Sequence, residues 1–167
     1  MLSKKMEAAL NKQINQEMYS SYLYLSMAAY FAEKNLNGFS HSMRLQFQEE
    51  LVHAGKLFDY MIDRDAKVAL SPIDAPPKSW RSTLAACEAA YKAEVQNTKQ
   101  ISNIMDLAFK EGDHATRVIL QWFVEEQIEE ESTALTVVEQ VKLADGEPSA
   151  LFLIDRELGA RNPDSAA

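Results

Sequence analysis

Residues 43–61 read MRLQFQEELVHAGKLFDYM. Met43, Phe47, Ala54, Leu57 and Met61 recur at spacings of three and four, the apolar stripe of an amphipathic helix. Glu50 stands inside that stripe, with apolar positions continuing on both sides of it. The next turn adds His53, three residues on, about 60° round the same face. An acid in this position belongs to the helix's buried seam and not to its solvated side.

Three further stretches repeat the pattern. One reads Leu10, Ile14, Glu17, Ser21, Tyr24, Ala28, Phe31. Another reads Leu84, Cys87, Tyr91, Glu94, Thr98, Ile101, Met105, and the last reads Ile119, Phe123, Glu126, Glu130, Ala134, Val137, Val141. A Glu-rich run such as 125–131 is ordinarily a solvated face, but apolar residues continue the stripe above and below these acids. Carboxylates in a dry core are prohibitive unless protonated, paired with cations or bound to metal. No Lys or Arg occupies the central stripe positions, so a metal is the best remaining explanation.

The breaks between stripes set the topology. Helices are expected over about 3–34, 39–65, 82–111, 114–144 and 148–158, within a single domain spanning 1–167. Ser82 and Asp113 suit N-caps, Gly112 suits a C′ position, and Pro148 suits a first turn. Short breaks at 35–38 and 112–113 make two antiparallel hairpins. Between them lies an irregular stretch, 66–81, with Pro72, Pro76 and Pro77. A helix of about 28 residues is ~42 Å long, and fifteen extended residues reach ~50 Å. The stretch can therefore cross the whole bundle and leave the second and third helices parallel. The fold class expected is all-α: a four-helix bundle with a long crossover and a short fifth helix. The tail from Ala160 is expected to fray.

Composition narrows the function. The 167 residues are 47% hydrophobic and 25% charged, with a net charge of −8. There is no basic stripe for nucleic acid and no apolar run long enough for a membrane span. The single Cys87 suits a reducing compartment, and the N-terminus shows no apolar leader, which points to the cytoplasm.

The acids are also spaced in duplicate. Glu17 precedes Glu50 by 33 residues, and Glu50 precedes His53 by three. Glu94 precedes Gln127 by 33, and Gln127 precedes Glu130 by three. Each hairpin thus offers one group from its first helix and a pair from its second. A lone Glu-x-x-His is a weak signal; the duplicated geometry is far more specific.

With these features the chain resembles the ferritin-like superfamily over about residues 3–159. It is most similar to prokaryotic non-haem ferritins, through Gln16-Glu17-Met18-Tyr19-Ser20-Ser21, Gln48-Glu49-Glu50-Leu51-Val52-His53, Phe58-Asp59-Tyr60 and Phe152-Leu153-Ile154-Asp155. Bacterioferritins would carry Glu-x-x-His in the fourth helix, where this chain has Gln127 and Glu130, and a haem-ligating Met where it has Leu51. No haem is therefore expected. Rubrerythrins carry paired Cys, which Cys87 alone cannot supply.

The resemblance implies a non-haem di-iron centre: Glu17 and His53 on one iron, Glu50 bridging, Glu94 and Glu130 on the second, and Gln127 beside it. Fe(II) would be oxidised there by dioxygen or hydrogen peroxide and kept as ferric mineral in a homo-oligomeric shell of 24 subunits. Tyr24 resembles the tyrosine beside ferritin iron centres, or is a core aromatic. Trp122, His41, His114, the Met residues and Cys87 are expected in packing, surface or loop roles. A third iron position is implied at Glu49, Glu126, Glu129 and Glu130. Helical geometry places Glu129 about 60° to one side of Glu126 and Glu130 about 40° to the other. Two other readings stand beside this one: a di-iron oxygenase or peroxidase on the same bundle, and a metal-free helical module.

Overall fold

The computed structural model describes residues 1–162, and these form five helices with no strand among them. They are α1 (Lys4–Glu33), α2 (Asn37–Asp63), α3 (Thr83–Glu111), α4 (His114–Ala144) and α5 (Pro148–Gly159). Local chemistry sets most of the ends. The hydroxyl of Ser3 accepts from the Met6 amide, that of Ser82 from the Ala85 amide, and the Asp113 carboxylate from the Thr116 amide. Gly112 closes α3 at φ 67°, in the left-handed region that a side chain disfavours.

The crossover runs along α1. The Asn11 side chain donates to the Lys67 carbonyl and accepts from the Ala69 amide, and Asn15 donates to the carbonyls of Ser71 and Pro72. Further up the same helix, Ser26 donates to the Pro77 carbonyl, and Trp80 meets the Tyr30 ring edge-on at 5.2 Å. From Asn11 to Tyr30 is about 28 Å of helix at 1.5 Å per residue. The strap thus leaves α2 near the start of α1 and delivers α3 near its end, so α2 and α3 are parallel. The bundle is all-α, with a long crossover and a short fifth helix, as the loop lengths imply.

Gly38 is not the break it resembles in the sequence; it lies in the first turn of α2. No side chain caps this helix from its own N-terminus. Asp155 of α5 does so instead, accepting from the Gly38 and Phe39 amides at 2.8 and 3.0 Å. A Cβ on Gly38 would lie 1.6 Å from the Asp155 carbonyl oxygen, so the close approach of α5 requires glycine here.

The apolar core falls into two parts. At one end, Met27, Phe31, Phe39, Cys87, Val138 and Ile154 pack together. At the other, Met6, Leu10, Leu57, Met61, Ile101 and Leu120 do the same. The stripe acids lie between the two. The α1 and α2 stripes run as read, apart from a half-buried Phe47.

The α3 and α4 stripes need correction. In α3 the buried positions are Ala86, Cys87, Ala90, Glu94, Asn97, Ile101, Ile104 and Ala108; Leu84, Tyr91, Thr98 and Met105 flank them, half-buried. In α4 they are Thr116, Leu120, Phe123, Gln127, Val138, Val141 and Ala144, so Gln127 and not Glu126 faces inward. A helix of 3.6 residues per turn can step by three or four at each turn, and the sequence stripe takes the wrong step at both places.

The tail is also tied down where it is described. Arg161 holds Glu49 at 3.1 Å, and its carbonyl lies 2.9 Å from His41 Nε2, so fraying does not begin at Ala160. The rest of that expectation, residues 163–167, lies outside the described residues. Among the described residues no helix is long and apolar enough to cross a membrane.

Candidate metal centre

One acid from each long helix converges at the middle of the bundle. Ligand atoms of Glu17, Glu50 and His53 all lie within 4.8 Å of one another, and so do those of Glu50, Glu94 and Glu130. Glu50 belongs to both groups. The first draws on α1 and α2, the second on α2, α3 and α4. Glu17 and Glu50 are fully buried, and Glu94 and His53 nearly so. Among the described residues the buried polar side chains include four amides, Gln13, Gln46, Asn97 and Gln127, but no lysine or arginine.

The donors around these acids are unevenly shared. Glu17 accepts from Gln13 at 2.7 Å and from Asn97 at 3.1 Å. Glu94 accepts from the Tyr24 hydroxyl and from Gln127. Glu130 accepts from Gln46 at 2.9 Å through one oxygen only. Both oxygens of Glu50, the second oxygen of Glu130 and Nδ1 of His53 are buried with no hydrogen-bond partner. Buried polar atoms are rarely left so, and all four belong to residues of the two ligand groups. Oxygen donors and one imidazole form a donor set that suits ferrous iron and tolerates ferric iron.

Burial dominates the electrostatics. It raises the Glu17 pKa and raises that of Glu50 well above the ordinary 4.5, the latter with help from Glu94, Glu17 and Glu130. It pushes Glu94 up to about 7 and Glu130 up to about 10, the second reinforced by repulsion from Glu94 and Glu17. Burial and the nearby Lys56 lower His53 to about 4, leaving a neutral imidazole. The Tyr24 hydroxyl is held well above 10, first by burial and then by Glu94 and Glu50. Burial thus favours the protonated form of each of these acids.

The remaining expected residues sit differently. Gln127 is buried beside the second group, but its amide nitrogen donates to Glu94 and Thr98 while its carbonyl accepts from Asn97. Trp122 stacks edge-on to His53 at 5.3 Å, with Lys56 over its ring at 4.2 Å. Glu126 is half-buried and Glu129 exposed. Burial raises Glu49 and Glu126, and repulsion from Glu129 adds to the rise of both. Their ligand atoms are not gathered into a third group among the described residues, and Glu49 is paired with Arg161.

Gln13, Gln46, Asn97 and Arg161 are not among the residues expected from the sequence. A signal for three of them was present. Each stripe acid has an amide within one turn: Gln13 four before Glu17, Gln46 four before Glu50, Asn97 three after Glu94, Gln127 three before Glu130. Arg161 had none, because its contact with α2 depends on where α5 docks.

Comparison with known proteins agrees with this geometry. The ferritin-like domain family matches residues 7–144. A bacterial non-heme ferritin of Bacteroides fragilis is 40% identical over 161 residues, covering 96% of this chain and all of that protein. One from Staphylococcus epidermidis is 36% identical, covering 97% of this chain and 98% of its own length. Among solved structures, an open-pore ferritin from Archaeoglobus fulgidus is 49% identical with a TM-score of 0.96, covering 97% of this chain and 100% of that one.

The pKa directions set a pH dependence. Unfolded Glu side chains lose their protons near 4.5, whereas the folded chain keeps those of Glu94 to about 7 and Glu130 to about 10. The folded state therefore binds more protons above 4.5, and stability of the metal-free protein falls as pH rises through 7 toward 10. His53, lowered from 6.5 to about 4, acts oppositely, adding stability as pH rises across that interval. Above 6.5 His53 no longer opposes the acids. Thermal unfolding of metal-free protein should move to lower temperature between about pH 7 and 9, and Zn(II) should remove most of that slope. Adding Zn(II) at neutral pH should also release roughly one or more protons per subunit. A flat profile without proton release would contradict these assignments.

Proposed function

Because the chain belongs to the ferritin family, with prokaryotic non-haem ferritins among its relatives, we propose that it is an iron-storage ferritin with a ferroxidase centre inside each subunit. The observation that carries this reading is the shared acid. Glu50 lies in both ligand groups with neither oxygen satisfied, which is what a bridge between two cations requires.

Iron is the substrate. One Fe(II) is held by Glu17, His53 and Glu50, and a second by Glu50, Glu94 and Glu130. The carboxylates give up their protons as the ions enter, and their negative charge then favours the ferric state. Each Fe(II) gives one electron. Two electrons and two protons convert dioxygen to hydrogen peroxide, or peroxide to two waters. Hydrolysis of the ferric product releases protons, and mineral collects outside the bundle.

Tyr24, bonded to Glu94, fixes that acid beside the second iron position. Gln127 serves beside the second iron through its contact with Glu94. Its neutral amide, where an acid or imidazole could stand, leaves that position weaker and suits iron that moves on.

The same reading places the protein in the cytoplasm as a homo-oligomeric shell of 24 subunits without haem, Leu51 offering no thioether. It assigns a third iron position to Glu49, Glu126, Glu129 and Glu130, a more exposed, all-oxygen site that receives iron leaving the pair. Glu49 must release Arg161 to join it.

Replacing Glu50 with Ala should slow rapid Fe(II) oxidation by about a hundredfold or more while the shell still assembles. Stopped-flow absorbance of the ferric product measures this, and parent-like kinetics would refute the centre. For the third position, Glu126→Gln with Glu129→Gln should lower anaerobic Fe(II) binding by about one ion per subunit and leave the first oxidation fast. Unchanged stoichiometry would remove the third site from the account.

A further inference from the structure

The four buried amides are more than core filling, because three of them form one connected chain. Gln13 donates to Glu17 Oε1 at 2.7 Å and to the Asn97 carbonyl at 2.6 Å. Asn97 donates to Glu17 Oε2 at 3.1 Å and to the Gln127 carbonyl at 3.3 Å. Gln127 in turn donates to Glu94 Oε2 at 3.3 Å. All three side chains are at most 2% exposed. We propose that Gln13, Asn97 and Gln127 are positioning residues that tie Glu17 to Glu94 and so couple the two iron positions, with Asn97 at the centre. The proposal rests on the di-iron reading above.

The direction of the bonds carries the argument. An ionised carboxylate can only accept, so any amide beside it must present its NH₂ group. Glu17 at one end and Glu94 at the other both receive NH₂ groups. The carbonyls of Asn97 and Gln127 are left to accept from the preceding amide in the chain. Each amide thus donates to an acid, Gln13 and Asn97 also to the next link, and Gln127 also to the Thr98 hydroxyl. This polarity places an N–H donor, and no amide carbonyl, against each outer acid. The arrangement is organised in advance for the loaded centre. It also explains the choice of amides over lysine: they supply donors without a positive charge that would compete with the metal.

The chain reaches only the outer acids. Glu50, the shared one, receives none of these amide donors, and its carboxyl lies against that of Glu17. Asn97 therefore fixes how far apart the ends of the pair stand. Its loss removes a donor from Glu17 and frees the Gln127 amide to turn its carbonyl oxygen against Glu94. Both positions suffer from one substitution on a residue that belongs to neither ligand group.

The test compares the parent shell with Asn97→Leu and Gln13→Met, using anaerobic Co(II) titration followed by visible absorbance, and Fe(II) oxidation as a function of iron concentration. In the parent, the first two Co(II) per subunit should fill in one unresolved phase, the second position being only slightly the weaker. In Asn97→Leu the titration should split into two phases, the weaker at least about tenfold poorer than in the parent, with KM for Fe(II) rising more than kcat falls. Gln13→Met should shift both quantities in the same direction by less. A merely structural role would lower thermal stability without splitting the titration. If Asn97→Leu does not assemble, Gln13→Met decides alone. Parent-like titration and oxidation in the assembled variants would overturn the coupling. Glu50→Ala run alongside separates the two ideas: rapid oxidation there overturns the di-iron reading itself, whereas its loss beside a parent-like Asn97→Leu overturns only the amide chain.

Discussion

Four carboxylic acids and an imidazole share the dry middle of this bundle with no buried lysine or arginine among the described residues to neutralise them. Taking such groups out of water is costly, and like charges brought together add to the cost. Held empty, the acids retain protons, which is the direction in which burial and mutual repulsion move them. The apolar clusters on either side, built around Phe31 and Phe39 at one end and Leu10 and Leu57 at the other, must supply the stability that the polar layer withholds. The bundle is thus stabilised at its ends and strained for charge at its centre. A divalent cation relieves that condition directly.

The rest of the architecture follows from keeping this layer level. Each long helix contributes one acid, and the four meet only if the hairpins stay in register. The strap along α1, held by Asn11, Asn15 and Ser26, sets the second hairpin against the first. At the far end α5 caps α2 through Asp155, an arrangement possible only with Gly38 in the first turn of α2. A small displacement at either end would separate Glu50 from one of its two groups.

Much of this could be read from residue order, because an acid inside an apolar stripe is a local signal. Glu17, Glu50, Glu94 and Glu130 follow from periodicity, the 33-residue spacing pairs Glu17 with Glu50 and Glu94 with Gln127, and the three-residue steps add His53 and join Gln127 to Glu130. Periodicity misleads where a helix can step by three or by four. It placed Glu126 in the α4 seam where Gln127 stands, and Thr98 in the α3 seam where Asn97 stands. Both errors favoured the residue with the more familiar role, an acid or a β-branched side chain, over an amide. Buried amides carry no periodic hydrophobic signal, since their place is earned by partners on other helices. The contact between Arg161 and Glu49 is legible only once α5 is docked.

The central claim is that two iron ions share Glu50 inside each subunit. Crystals soaked anaerobically with Fe(II), with anomalous diffraction recorded at the iron edge, test it most directly. The account predicts two peaks between the helices, one bonded to Glu17, His53 and Glu50, the other to Glu50, Glu94 and Glu130. Iron found only on exposed surface acids, with none between α1, α2, α3 and α4, would contradict it.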